Sequence, residues 1–231
     1  LQLCHTTSWG VSTRLIGGVI MTHGDDDGLV LPPRVAPTQV VLLPIAHKEE
    51  ERSKVMEYTD GLAAALGNTL YGGRPVRVEV DRRDIGGARG WEWIKKGVPL
   101  RLEIGPRDIA NDAVFVGRRD KPHKEKTAMG RAQFIDRVAA LLDEIQANLL
   151  VRARAFRDEN TRPIDDRGDF YGYFTPKNSE KPEIHGGFAM SHWCGAGACE
   201  AKIKEDLTVT IRCIPFDAPE ETGRCICCGK E

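Results

Sequence analysis

The stretch Thr38–Ala46, "TQVVLLPIA", decides how the rest of the chain is read. It is a continuous apolar run of strand length, and such a run without polar alternation marks a strand covered on both faces. The segments downstream have to supply the covers. Glu49 to Leu66 carries Val55, Met56, Leu62, Ala63 and Leu66 at helical spacing and closes at Gly67-Asn68, in the manner of a C-cap. "VRVEV" (Val76 to Val80) then alternates apolar and charged residues as a half-buried strand does. A shorter helical stretch around Gly90 to Lys96 precedes "PLRLEIG" (Pro99 to Gly105), read as a second alternating strand. After a turn at Gly105-Pro106, "AVFVG" (Ala113 to Gly117) reads as another. Strand, helix, strand, helix, strand, strand is an α/β pattern with a small mixed sheet. From Arg131 to Phe156 one long helix places Phe134, Val138, Leu141, Leu142, Ile145, Leu149, Leu150, Ala153 and Phe156 on a single apolar stripe, expected to be core or domain interface.

Upstream, Pro32-Pro33 and Pro37 push the preceding residues to extended geometry and set a boundary near residue 37. Before them, Leu15 to Met21 ("LIGGVIM") is long enough for a buried helix. Its Gly17-Gly18 pair costs about 1 kcal/mol per glycine against alanine unless another backbone packs there. Arg14, at the start of that helix, offers a fixed and always protonated fork suited to a phosphate or carboxylate. The alternative is a surface arginine lying along its apolar neighbours. "HGDDDG" (His23 to Gly28) lacks the alternating carboxylates and closing glutamate of a calcium loop and is expected to be a charged turn. Downstream, "DENTRPIDDRGD" (Asp158 to Asp169) is polar and highly charged, and is expected to be a second linker.

The chain has 231 residues, 41% of them hydrophobic, which suits folded cores and excludes a disordered chain. Its formal charge of −1 is unevenly spread: Arg82 to Arg131 holds 13 Lys or Arg against 7 Asp or Glu, a local +6 that leaves −7 elsewhere. A local polyanion site on a soluble protein fits that asymmetry. No apolar run is long enough to span a membrane, and the start lacks the pattern of a secretion signal, so cytoplasmic localisation is expected. Leu1 falls within an apparent motif, so the sequence reads as a fragment of a longer protein.

Six of the seven cysteines lie in the last 40 residues, five of them (Cys194, Cys199, Cys225, Cys227 and Cys228) in two tight groups, which argues for metal over disulfides. "WCGAGACEAK" and "RCICCGKE" present two hooks, Cys194-x4-Cys199 and Cys225-x2-Cys228, separated by 25 residues. Four thiolates can then meet about 2.3 Å from a zinc ion. Cys227 could replace Cys228, although a two-residue gap turns the chain better than a one-residue gap. His185 and His192 are fallback ligands.

In "WEWIKKGVPLRLEIGPRDI" (Trp91 to Ile109), Trp91 and Trp93 can offer stacking faces to unpaired bases. Lys95, Lys96, Arg101 and Arg107 supply charge and donors, while Glu103 and Asp108 can accept from guanine edges. Strand-flanking surface charge with packed tryptophans is the plainer alternative.

"TSWGVSTRLIGGVIMTHGDDDGLVLPPRVAPTQVVLLPI" (Thr7 to Ile45) resembles motif 3 of class II aminoacyl-tRNA synthetases, in the version of prolyl-tRNA synthetases of the archaeal and eukaryotic type. The resemblance continues with "KGVPLRLEIGPRD", a block of the family's anticodon-binding domain, and runs to the "CGK" block near the end. It implies that Arg14 contacts the ATP phosphates, with Thr7, Ser8, Trp9 and Gly10 on the floor of the ATP and proline pocket. Arg101, Arg107, Asp108 and Lys121 fall on anticodon-contacting positions, joined by Trp93, Lys96 and Glu103 from the reading of the residues themselves. Ile94 stands where some relatives carry a base-reading glutamate. Zinc held by Cys194, Cys199, Cys225 and Cys228 would be structural. The family continues to a C-terminal tyrosine beyond the point matched by Glu231.

Three parts are therefore expected: a catalytic-domain remnant with motif 3 (residues 1–37), an α/β mixed-sheet anticodon-binding domain (38–160) and an α/β zinc-binding C-terminal domain (161–231). The implied parent activity is proline–tRNA ligase, in which ATP with magnesium activates proline for transfer to tRNA(Pro). It is expected of a homodimer with no DNA or membrane partner. Motifs 1 and 2 are absent from this sequence, so the activity would belong to the longer protein. The rival reading is a non-catalytic RNA-binding accessory protein.

Overall fold

The computed structural model describes residues 4, 6–46, 48–83, 85–178, 180, 187–218 and 221–231. In chain order the elements are α1 (Arg14–His23), β1 (Val40–Pro44), α2 (Glu49–Gly67), β2 (Leu70–Tyr71), β3 (Arg74–Pro75), β4 (Val78–Val80), α3 (Ala88–Lys95), β5 (Leu100–Ile104), α4 (Pro106–Ala110), β6 (Ala113–Arg118), β7 (Lys126–Gly130), α5 (Arg131–Glu159), β8 (Thr161–Pro163), α6 (Arg167–Phe174), β9 (Phe188–Met190) and α7 (Gly197–Leu207). They fall into two compact units, Leu1–Ala153 and Arg154–Glu231.

The first unit is built on a five-stranded mixed sheet in the order β4-β1-β5-β6-β7. β1 runs parallel to both β4 and β5, while β5-β6 and β6-β7 are antiparallel. All five residues of β1 are buried, because the strand sits between neighbours and is covered on both faces. One face carries Val40 and Leu42, Leu100, Leu102 and Ile104, and Val114 and Val116, packed against Leu62 and Leu66 of α2 and the α5 stripe from Phe134 to Leu149. Three glutamates in the first turn of α2 oppose the positive end of that helix. Thr59, buried within it, satisfies its hydroxyl on the Val55 carbonyl at 2.7 Å. The other face of the sheet carries Val41 and Leu43 under Trp93 and Val98.

Several expectations are corrected by this packing. The apolar run opening with Leu15 does form a helix, but α1 buries none of its residues. A side chain added at Gly17 or Gly18 would meet nothing within 4 Å. An apolar face becomes buried only when another layer covers it, and among the described residues none covers α1. Leu100–Ile104 does not alternate: four of its five residues are buried, Arg101 among them, because both faces of β5 are partly covered. Gly105-Pro106 opens α4 instead of a plain turn, with the Asp108 carboxylate accepting the Gly105 N–H at 2.8 Å. α2 ends where expected, yet Asn68 keeps a right-handed φ of −88°. The buried stripe of α5 stops at Leu149, leaving Leu150 and Phe156 exposed.

The charged segment Asp158–Asp169 is not a linker. β8 lies within it and pairs in parallel with β9, Thr161 opposite Phe188. Asp166 then caps α6 by accepting the Asp169 N–H at 2.9 Å. The second unit closes around Phe170, Ile203, Ile226 and three cysteines. No strand lies between Leu207 and Arg224 among the described residues. No described helix is long and apolar enough to cross a membrane.

Asp81 fastens α3 to the sheet. It is 4% exposed, accepts Trp93 Nε1 at 2.7 Å, and takes the Arg83 guanidinium at 3.0 and 2.7 Å. The Arg83 side chain is the main reason this carboxyl sits well below its ordinary value of 3.8; burial works in the opposite direction. A depressed folded-state pKa gives stability that is present above the unfolded value and lost as pH falls towards the folded one. The stability gap between the wild type and Asp81→Asn should therefore be widest near pH 6 and narrow by pH 3, read from urea midpoints. A gap independent of pH would show that Asp81 is not held as a carboxylate.

Candidate functional site

Parity along the strands lays out the second face of the sheet. Val41 stands opposite Arg101 and Leu43 opposite Glu103. Across β6 and β7, Arg101 faces Gly117 and Glu103 faces Phe115, which in turn face Lys126 and Ala128. Trp93 of α3 packs on Val41 and Leu43, covering the β1 side. Over β6 and β7 the cover thins: Phe115 is 36% exposed.

The predicted RNA-contacting residues separate into two groups on this scaffold. Trp93 is 4% exposed, its indole tied to Asp81 and its ring beneath the Lys96 ammonium at 4.1 Å. It packs the fold and has no free face for a base, which corrects the expectation. Trp91 keeps an exposed ring, tilted against His123 at 4.9 Å between centroids. Arg101 is also 4% exposed, and its Nη1 is buried without a hydrogen-bond partner among the described residues. Burial lowers the pKa of its guanidinium, with the Glu103 charge opposing the shift. The side chain fits because Gly117 beside it has no Cβ; one added there would lie 3.1 Å from Arg101 Nη2. Glu103 is held by Lys126 Nζ at 2.6 Å. Asp108 caps α4, Lys121 pairs with Glu125 at 2.7 Å, and Glu92 pairs with Arg83 at 2.7 Å. Arg107, Lys95 and Lys96 are exposed.

Sequence reading did not single out Phe115 or Lys126. Parity was the available signal: in "AVFVG", Phe115 lies between the core residues Val114 and Val116 and so must face the other way.

A seam joins α3 to the segment after α1. Asp25 lies in the expected charged turn, closed by reciprocal hydrogen bonds with Gly28. Its carboxylate accepts both terminal nitrogens of Arg119, Nη1 at 2.7 Å, while Arg119 Nε donates to the Ile94 carbonyl at 3.1 Å. This pairing, chiefly the hydrogen bond from Arg119, holds the Asp25 carboxyl below its ordinary range. Leu29 N–H reaches the Lys95 carbonyl at 3.0 Å and Leu31 N–H reaches that of Gly97 at 3.1 Å. The backbones approach so closely that a Cβ on Gly28 or Gly97 would come within 2.7 Å of the opposing chain, and both glycines have positive φ.

Thr7, Ser8, Trp9 and Gly10 lie on an irregular, exposed segment before α1, Trp9 being 94% exposed. Arg14 is the first residue of α1 and is exposed.

In the second unit, the Sγ atoms of Cys194, Cys199, Cys225 and Cys228 all lie within 4.8 Å of one another. Cys194 to Cys199 is 3.7 Å and Cys228 to Cys194 is 3.8 Å. A zinc ion with four thiolates at its usual bond length requires sulfurs about 3.8 Å apart, so this donor set fits a tetrahedral metal site. Crowding splits the thiols: the Cys194 sulfur, followed by burial, pushes Cys199 up. At Cys225 burial also raises the pKa, but backbone N–H groups, Cys228's first, outweigh it and bring the thiol down to about 6. Cys227 instead packs in the apolar cluster with Phe170 and Ile203. His192 is engaged by Asp165 at 2.9 Å and does not join the four sulfurs; His185 lies outside the described residues.

Comparison with known proteins agrees with this division. The family model "Anticodon binding domain" matches residues 39–141, and "Prolyl-tRNA synthetase, C-terminal" matches residues 180–231. "Proline--tRNA ligase 2" of Anaeromyxobacter dehalogenans is 54% identical over 97% of this chain, and "Proline--tRNA ligase" of Protochlamydia amoebophila is 49% identical over 100% of it. The chain spans 45% and 46% of the length of those relatives. Among solved structures, prolyl-tRNA synthetase from Cryptosporidium parvum complexed with L-proline and AMP superposes with a TM-score of 0.76. The two are 33% identical, and the match covers 94% of this chain and 44% of that one. By likeness along its whole length and by both matched models, the chain belongs to the prolyl-tRNA synthetases and corresponds to the C-terminal portion of that class II family.

Proposed function

We propose that this chain is the part of a proline–tRNA ligase that recognises the tRNA anticodon, carries the phosphate-contacting arginine of motif 3 and is closed by a structural zinc domain. The parent reaction activates proline with ATP to prolyl-adenylate and transfers the prolyl group to tRNA(Pro). What carries the reading is the extended likeness to proline–tRNA ligases, together with an anticodon-binding match over the same residues that build the half-open, cation-lined sheet. The proposed parts are residues 1–37 for the catalytic side, 38–160 for the anticodon and 161–231 for zinc.

Each part has a physical task. Arg14 opens α1, so its guanidinium adds to the positive end of the helix and favours a phosphate there. Thr7 to Gly10 precede it and would floor the ATP and proline pocket. Arg107 presents an exposed planar fork at the start of α4, suited to two acceptors on a guanine edge. The exposed Lys95, Lys96 and Lys121 would hold phosphates. Cys194, Cys199, Cys225 and Cys228 would hold zinc, which ties the two hooks together and takes no part in the reaction.

The test uses the full-length protein. Arg107→Ala should cost about 1 to 3 kcal/mol in kcat/KM for tRNA with the cognate anticodon, and less when the guanines are mutated. Proline-dependent ATP–pyrophosphate exchange should be unchanged. Equal losses on every anticodon would make Arg107 a backbone anchor, and absence of proline-dependent exchange in the wild type would overturn the enzymatic reading.

A further inference from the structure

We infer that Phe115 is a base-stacking platform for an unpaired nucleotide, at the centre of a subsite on the open half of the sheet. The inference rests on the anticodon-binding reading and adds a contact to it. An aromatic ring at this position is not required by the core: its neighbours Val114 and Val116 face the buried side, while Phe115 stands on the opposite face and remains 36% exposed. Expecting the tryptophans to provide stacking fails for Trp93, whose ring is used inside the fold.

The ligand class is set by the groups around the ring. Lys126 Nζ lies 5.7 Å from the Phe115 centroid and is paired with Glu103 at 2.6 Å. A planar group laid on Phe115 would thus bring its edge to an ammonium donor and a carboxylate acceptor together, the two kinds of partner that a nucleobase edge requires. Beside Glu103 on β5 lies Arg101, 4% exposed, whose Nη1 has no hydrogen-bond partner among the described residues. A buried guanidinium nitrogen left unpaired is costly, so this side of the face is short of an acceptor. Positive charge also dominates the stretch from Arg82 to Arg131. A flat, polyanionic ligand with donors and acceptors on its rim meets all of these conditions: an unpaired base of RNA. Stacking tolerates any base, so Phe115 would add affinity, and the edge contacts would add discrimination.

The experiment compares full-length wild type, Phe115→Leu, Phe115→Tyr and Arg107→Ala for binding to tRNA(Pro), and repeats the titration with 2-aminopurine at each anticodon position. Phe115→Leu, which keeps an apolar side chain, should weaken binding about tenfold, whereas Phe115→Tyr should stay within about twofold. Emission from one 2-aminopurine should be quenched on the wild type and recover on Phe115→Leu, a change that a packing role would not produce. Unchanged affinity and quenching in Phe115→Leu, with Arg107→Ala still weakened, would overturn the platform and leave the anticodon reading intact. Wild-type binding by both Phe115→Leu and Arg107→Ala would overturn the two together.

Discussion

Cys225→Ser is expected to abolish stoichiometric zinc and to unfold the unit from Arg154 to Glu231. The reason lies in how little else holds that unit together. Among the described residues, the buried part of its apolar cluster is Phe170, Ile203 and Ile226 with Cys199, Cys225 and Cys227, rimmed by seven partly buried apolar residues, and two of those cysteines belong to the four-sulfur group. So small a core rarely sustains a fold without a staple. Binding of structural zinc by four such ligands supplies about 10 kcal/mol or more of folding free energy. One zinc per chain is expected by elemental analysis in the wild type. It should also be found in Cys213→Ser, because Cys213 is exposed and lies outside the group. Loss of the metal should appear as rapid proteolysis of the C-terminal unit with the first unit intact. Retention of one zinc by Cys225→Ser would exclude Cys225 as a ligand.

The second large effect concerns charge in the first unit. Among the described residues, Asp25→Ala would leave the Arg119 guanidinium, 4% exposed, with only the Ile94 carbonyl as partner. Stranding a buried cation costs about 3 to 5 kcal/mol, and the lower figure is expected because the Asp25 side chain is 49% exposed and water can take its place. The double variant Asp25→Ala/Arg119→Met should recover part of the loss, since no charge then remains to be solvated. Equilibrium urea unfolding reads both. A loss of only about 0.5 kcal/mol in Asp25→Ala would reduce the contact to an ordinary surface ion pair.

Much of the first unit was readable from periodicity because its main elements have strong patterns. β1 is apolar throughout and α2 and α5 repeat at helical spacing, so each announces its cover. β7 was not readable: "KTAMG" has no buried residue and is a strand only through its pairing with β6. Site residues were legible by type but not by environment. Nothing local distinguishes Trp91, whose ring stays exposed, from Trp93, which is buried; the difference arises when α3 lies down on Val41 and Leu43. Arg101 and Arg107 look alike in "RLEIGPR", yet one points from a covered strand and the other from a short exposed helix. The four cysteines were the exception, since their chemistry is fixed by residue type and their spacing by the chain itself.

α3 is fastened at both ends and in its middle. Arg89 donates to the carbonyls of Pro44, Asp81 and Arg83, Trp93 donates to Asp81, and the carbonyls of Ile94 and Lys95 are taken by Arg119 and Leu29. The consequence is entropic. A helix so constrained surrendered its freedom when the chain folded, and a ligand docking beside it has little left to order. If the proposed anticodon contacts are made along this edge, recognition there would be a matter of rigid complementarity, its rate set by encounter and orientation with no slow rearrangement of the helix.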